Sequence, residues 1–170
     1  MNNNYDDTRI NGVRLYLFNI LNELKTDSVN QINANMLSEE IDNYSLDKIP
    51  TMSEVEKWVT GDEIQRDVYS FRSRLFYSSE AYNNLNNIGF FERFEKLIKD
   101  NNRQGILPEI DGIQSIECLN CGSIIDTKTD TATFDIQIQI TYLIKDSKGE
   151  ISLWKKLLQS KILQLAVISF

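Results

Sequence analysis

Between residues 131 and 142 the chain alternates without a break. Ala132, Phe134, Ile136, Ile138, Ile140 and Tyr142 are apolar, while Thr131, Thr133, Asp135, Gln137, Gln139 and Thr141 are polar. Successive side chains of a β-strand point to opposite faces, so this pattern demands a long strand with one buried and one wet side. A helix would scatter the same apolar residues around its circumference. The chain must therefore build a sheet covered on one face only, which is the habit of antiparallel sheets.

The flanking sequence supplies partners. Residues 113–118 and 123–125 read as antiparallel neighbours, with Asp126-Thr127-Lys128-Thr129-Asp130 turning into the long strand. Residues 44–49 read as a strand stopped by Pro50. Residues 53–60 and 62–77 flank Gly61-Asp62, a hairpin-turn dipeptide between β-branched and aromatic residues. In its second arm Tyr69, Phe71 and Ser73 share one face, and Val68, Ser70, Arg72 and Arg74 the other. One side can enter a core while the other carries two positive charges.

Helical spacing appears elsewhere. Residues 8–25 place Ile10, Val13, Leu17, Phe18, Ile20, Leu21 and Leu24 on one face, with Asp6 and Asp7 upstream as capping candidates. Residues 26–42 are polar and read as a loop with a short helical turn at 36–41. Ser78 and Ser79 offer an N-cap for a helix continuing from Glu80 to Ile88. Gly89 kinks that helix or separates it from a second piece, in which Phe90, Phe91, Phe94, Leu97 and Ile98 repeat at three and four. Asp100-Asn101-Asn102 ends it, and a loop containing Gly105 and Pro108 follows. The last segment, 150–170, reads as a helix whose stripe of Leu153, Trp154, Leu157, Leu158, Ile162, Leu165 and Ala166 packs on its own subunit or on a neighbour. The expected architecture is α+β: a small, mostly antiparallel mixed sheet flanked by helices over residues 1–145, with a C-terminal helical extension over 146–170.

Composition narrows the function. The 170 residues hold 25 acidic and 18 basic side chains, for a net charge of −7, and no histidine. Phosphate neutralisation needs a cationic surplus, so a general nucleic-acid binder is disfavoured. The missing histidine removes the commonest general base and the commonest metal ligand. No phosphate loop or nucleophile elbow occurs in the sequence. The start, Met-Asn-Asn-Asn-Tyr-Asp-Asp, has no secretory character, and the apolar end is interrupted by Gln159, Ser160, Lys161 and Gln164. A soluble, cytoplasmically made protein with no membrane partner is expected.

Cys118 and Cys121 are spaced C-x-x-C, but a zinc site needs about four ligands and no second pair completes one within the chain. They read as two thiols beside a strand-to-strand turn, with inter-subunit metal binding and redox chemistry as the alternatives. Glu92 and Glu95 read as part of a solvated helix face. The Phe71-Arg-Ser-Arg74 run could grip an anion, and it reads rather as a salt-bridging or subunit-contact feature. No catalytic, cofactor or metal site is expected. The residues expected at subunit contacts are Tyr69, Phe71, Arg72, Arg74, Trp154, Leu157 and Leu158.

Five stretches carry a resemblance: Tyr44-Ser-Leu-Asp-Lys-Ile-Pro-Thr51, Asp67-Val-Tyr-Ser-Phe-Arg-Ser-Arg74, Asn86-Asn-Ile-Gly-Phe90, Ile113-Gln-Ser-Ile-Glu-Cys-Leu-Asn-Cys-Gly122, and Thr131-Ala-Thr-Phe-Asp-Ile-Gln-Ile-Gln-Ile-Thr-Tyr142. Over roughly residues 8–144 the chain resembles a family of small proteins encoded in the tail and neck region of phages and prophages of Gram-positive bacteria. Members are often labelled minor capsid proteins. Some carry a chloramphenicol-resistance label, which fails here because that acetylation needs a histidine base. The resemblance implies a tail terminator: a virion protein, assembled in the bacterial cytoplasm, that forms a hexameric ring on the last ring of the tail tube. Its implied partners are copies of itself, the tube protein, possibly a sheath protein, and the head–tail connector, with DNA only as passing cargo. A connector or minor capsid component on the portal side is the alternative, and a thiol-dependent enzyme using Cys118 and Cys121 is a third. The segment after Leu143 carries no part of the family pattern.

Overall fold

The computed structural model describes residues 8–24, 31–51 and 54–146. Among these the chain runs α1 (Arg9–Leu24), β1 (Ile32–Ala34), β2 (Asn43–Ile49), β3 (Glu54–Lys57), β4 (Glu63–Phe76), α2 (Ala81–Gln104), β5 (Ile113–Cys118), β6 (Ser123–Thr127) and β7 (Thr131–Ile144). The alternating stretch forms the spine together with the second arm of the hairpin. β4 and β7 pair antiparallel along their whole length, from Glu63 opposite Ile144 to Phe76 opposite Thr131. On the outer side of β4 lie β2 and then β3, end to end; on the outer side of β7 lie β6 and β5 in the same way. β1 adds a short parallel strand beyond β2, which makes the sheet mixed. The fold is α+β, as the alternation required.

Face parity places the core. Tyr69 and Phe71 lie opposite Ile138 and Ile136, and all four are buried on the helix side of the sheet. Val13, Leu17, Ile20 and Leu21 of α1 and Phe90, Phe91, Phe94 and Ile98 of α2 close over that face. Phe71 stacks between Tyr44, with centroids 5.8 Å apart, and Phe94, at 5.3 Å. Offset aromatic contacts of this kind add to the burial of the rings themselves.

Several local expectations change. α2 runs unbroken through Gly89, where an added Cβ would meet only the Arg93 guanidinium, at 3.3 Å. A mid-helix glycine costs roughly 0.5–1 kcal/mol, which the buried phenylalanines on the following turns outweigh. The helix also passes Asp100-Asn101-Asn102 and stops at Gly105, whose φ of 74° lets the Gly105 and Ile106 amides bond back to Asn102 and Asn101. Glu80 is the N-cap residue, and Ser78 braces the helix from outside by accepting a bond from Asn83 Nδ2 at 2.9 Å. Residues 36–41 form no helical turn; positive-φ Asn35 and Asp42 bracket that segment. The sequence reading missed β1, because three residues are too few to show a period. Asp6, Asp7 and the 147–170 part of the C-terminal extension lie outside the described residues.

Burial also sets the alkaline limit of the fold. Desolvation raises Tyr16, Tyr69 and Tyr142 above the ordinary tyrosine value, and it pushes the Cys118 thiol from 9.0 up to about 12. Each group keeps its proton in the folded chain at a pH where the unfolded chain has lost it. Their contribution is whole below about pH 9 and is lost as pH rises through the folded values. Stability measured by denaturant titration is therefore expected to fall progressively above pH 9, and a flat profile to pH 11 would contradict the burial of these groups.

Candidate functional site

The face of the sheet opposite the helices carries the polar half of the alternation, and among the described residues no helix covers it. Several of its polar and charged groups are bonded within the sheet. Arg72 on β4 donates through Nε to Asp47 Oδ2 on β2 at 2.8 Å, and its Nη2 bonds the same oxygen. Ser70 bonds Asp135 across to β7, and Gln139 donates to Glu117 at 2.7 Å. Arg74 is only 9% exposed; its Nη2 lies 3.5 Å from Thr133 Oγ1. The 36–42 segment is held close by, through Asp42 N to Arg74 O at 2.8 Å and a Glu39–Lys128 ion pair at 2.7 Å. Arg72 forms the salt bridge expected of this run and ties two strands together. Arg74, expected on the wet side, is enclosed.

The expected contact residues separate into groups. Tyr69 and Phe71 are each 1% exposed beneath the helices, so they hold the core and offer no surface to a neighbour. Parity had placed them on the core face, and the same parity excludes them from a contact. Trp154, Leu157 and Leu158 lie outside the described residues. Arg72 alone remains half-exposed on the open face.

What the sheet does offer is edge. β6 has no strand on its outer side among the described residues, all five of its residues are exposed, and Ile124 and Ile125 are 46% and 56% exposed. On the opposite side of the sheet, β3 presents an outer edge with Val55 exposed. Unpaired edge amides and carbonyls beside apolar side chains are a ready template for another chain. The signal for β6 was the Ile124-Ile125 pair, where a bulge breaks the alternation and leaves apolar groups outside the core.

A buried ionic centre lies at the other end of the spine, and the sequence reading missed it. Asp67 is 1% exposed and accepts from Lys48 Nζ at 2.8 Å, Arg9 Nε at 3.3 Å and the Tyr142 hydroxyl at 3.3 Å. The Arg9 guanidinium also sits 4.5 Å above the Tyr142 ring. The signal was parity again: Asp67 shares its face with Tyr69 and Phe71. With three donors satisfied, the carboxylate fastens the start of α1 to three strands. Beside it opens a cleft of about 770 Å³ lined by Thr8, Arg9, Glu109, Gly112, Tyr142 and Lys145 among others.

The cysteines offer little chemistry. Cys118 is half-buried and its thiol is pushed up to about 12, first by burial and then by the Glu95 and Glu117 charges and Cys121. A nucleophilic thiolate requires the opposite shift. Cys121 is exposed, with Sγ 3.7 Å from Glu95 Oε2. Among the described residues no group of three His, Cys, Asp or Glu side chains could hold a metal ion, and no helix is long and apolar enough to cross a membrane. No protein-family profile matches the chain, and no curated protein matches it.

Proposed function

We propose that this protein is a virion structural protein, a tail terminator that assembles as a hexameric ring on the end of the tail tube, stops tube growth and joins the tail to the head connector. The observation that carries this reading is the pair of open edges, β3 and β6, on opposite sides of one sheet. Two different surfaces on opposite sides of a subunit make head-to-tail contacts, and such contacts close into a ring when the rotation fits. The five resembling stretches add support, because they fall on β2, β4, the middle of α2, β5 with its following turn, and β7. They build the scaffold that carries the two edges, as suits a protein that acts through shape. The net charge of −7 suits a channel through which DNA slides without being held.

Deleting the gene tests the assignment. Electron microscopy should then show over-long tails. Tails of normal length beside unjoined heads would instead assign the protein to the head–tail connector.

A further inference from the structure

We infer that the cationic C-terminal segment, residues 151–170, docks in cis into the apolar groove between α1 and the 105–109 loop of its own subunit. The inference is independent of the terminator reading. The groove, of about 390 Å³, is lined by Leu15, Tyr16, Ile20, Ile106, Leu107 and Pro108, among others. Leu15 and Ile106 are each about half exposed, although both are large and apolar. An apolar surface rimmed by polar groups marks a site for a partner, and three observations point to this segment as the occupant.

The first is position. β7 ends at Ile144, and Leu143, Ile144 and Lys145 form a wall of the larger cleft beside Asp67. Glu109 lines both that cleft and the groove, so the two adjoin. The seven residues from Ser147 to Leu153 extend to about 23 Å. A tether this short holds the segment near the end of β7 at an effective concentration in the millimolar range.

The second is charge. Residues 151–170 contain Lys155, Lys156 and Lys161 and no acidic side chain, a net +3. Subtracting this from the total of −7 leaves −10 on residues 1–150. Glu109 and Asp111 line the cleft beside the end of β7 together with Arg9 and Lys145, and of these Glu109 alone reaches the groove, where it is the one charged lining residue.

The third is pattern. Leu153, Trp154, Leu157, Leu158, Ile162 and Leu165 recur at the spacing of an amphipathic stripe, which needs an apolar counterpart. A stripe of this kind laid into a groove is a recurrent mode of recognition.

Trp154 reports on the docking. Trp58→Phe, at the exposed hairpin tip, leaves Trp154 as the single tryptophan of the full-length chain. Its emission should be blue-shifted and shielded from iodide. Adding Leu15→Glu with Ile106→Glu in the groove should shift the emission to the red and raise iodide quenching several-fold, with far-UV circular dichroism and Tm preserved. Should that double variant lose its fold, Leu15→Ser with Ile106→Ser gives the same readout at smaller amplitude. Emission insensitive to both pairs would overturn the docking. A mixing test fixes the source of the groove: the displaced variant is combined with an excess of a tryptophan-free copy that keeps Leu15 and Ile106. Unchanged emission supports docking within one subunit. Recovery of the blue shift would mean that a second copy supplies the groove, and the inference would fail.

Discussion

Phe71→Ala is expected to lower the unfolding free energy by about 3–5 kcal/mol, the cost of removing a large side chain from a packed core. Phe71 sits at the middle of β4, opposite Ile136, with 1% of its surface exposed. Its ring is the central plate of a stack, with Tyr44 of β2 on one side and Phe94 of α2 on the other. Alanine would remove the contact joining the sheet to the helix layer and leave a cavity walled by rigid strands. The small collapse available to β-strands places this site toward the costly end of the range. Phe71→Leu, which keeps most of the volume, should cost much less. Denaturant titration checks both, and equal losses for the two variants would show that the stack is not a structural centre.

Gly112→Ala is the second large effect, and its origin is the backbone. Gly112 has a φ of 70°, and a methyl group there would land on the carbonyl oxygen of Leu143. The same Leu143 donates its amide to the Gly112 carbonyl at 2.8 Å, so the two segments cannot separate without breaking the bond that begins the β5–β7 pairing. A loss of about 3 kcal/mol or more is expected. Gly105→Ala is the control. Gly105 has nearly the same φ, 74°, with nothing within 4 Å of an added methyl group. It should lose only the left-handed backbone penalty, roughly 1–2 kcal/mol. Equal losses at the two positions would mean that the collision at Leu143 is relieved by local movement.

The strands were legible because their period is two and one face is dry. The twelve alternating residues of β7 fixed its faces before any partner was known. The hairpin around Gly61 followed from its turn dipeptide, and Gly61 does adopt a φ of 96°. α2 was less legible, since Gly89 and the three residues from Asp100 to Asn102 are weak local helix formers that buried phenylalanines hold in register. The site was harder still. Placing Arg72 and Arg74 on one face was sound, but sequence parity cannot show that Asp47 from another strand meets Arg72, or that Arg74 is enclosed. Asp67 escaped notice because a carboxylate on a core face gains meaning only once Arg9 and Lys48 arrive from distant positions. Such long-range pairings leave no periodic trace.

A light-scattering measurement on the full-length protein, eluted with and without its tube protein, bears most directly on the proposed role. The account predicts a species of six chains of 19.7 kDa, about 118 kDa in all, either alone or seated on tube ends. A chain that elutes at 19.7 kDa under both conditions would contradict it.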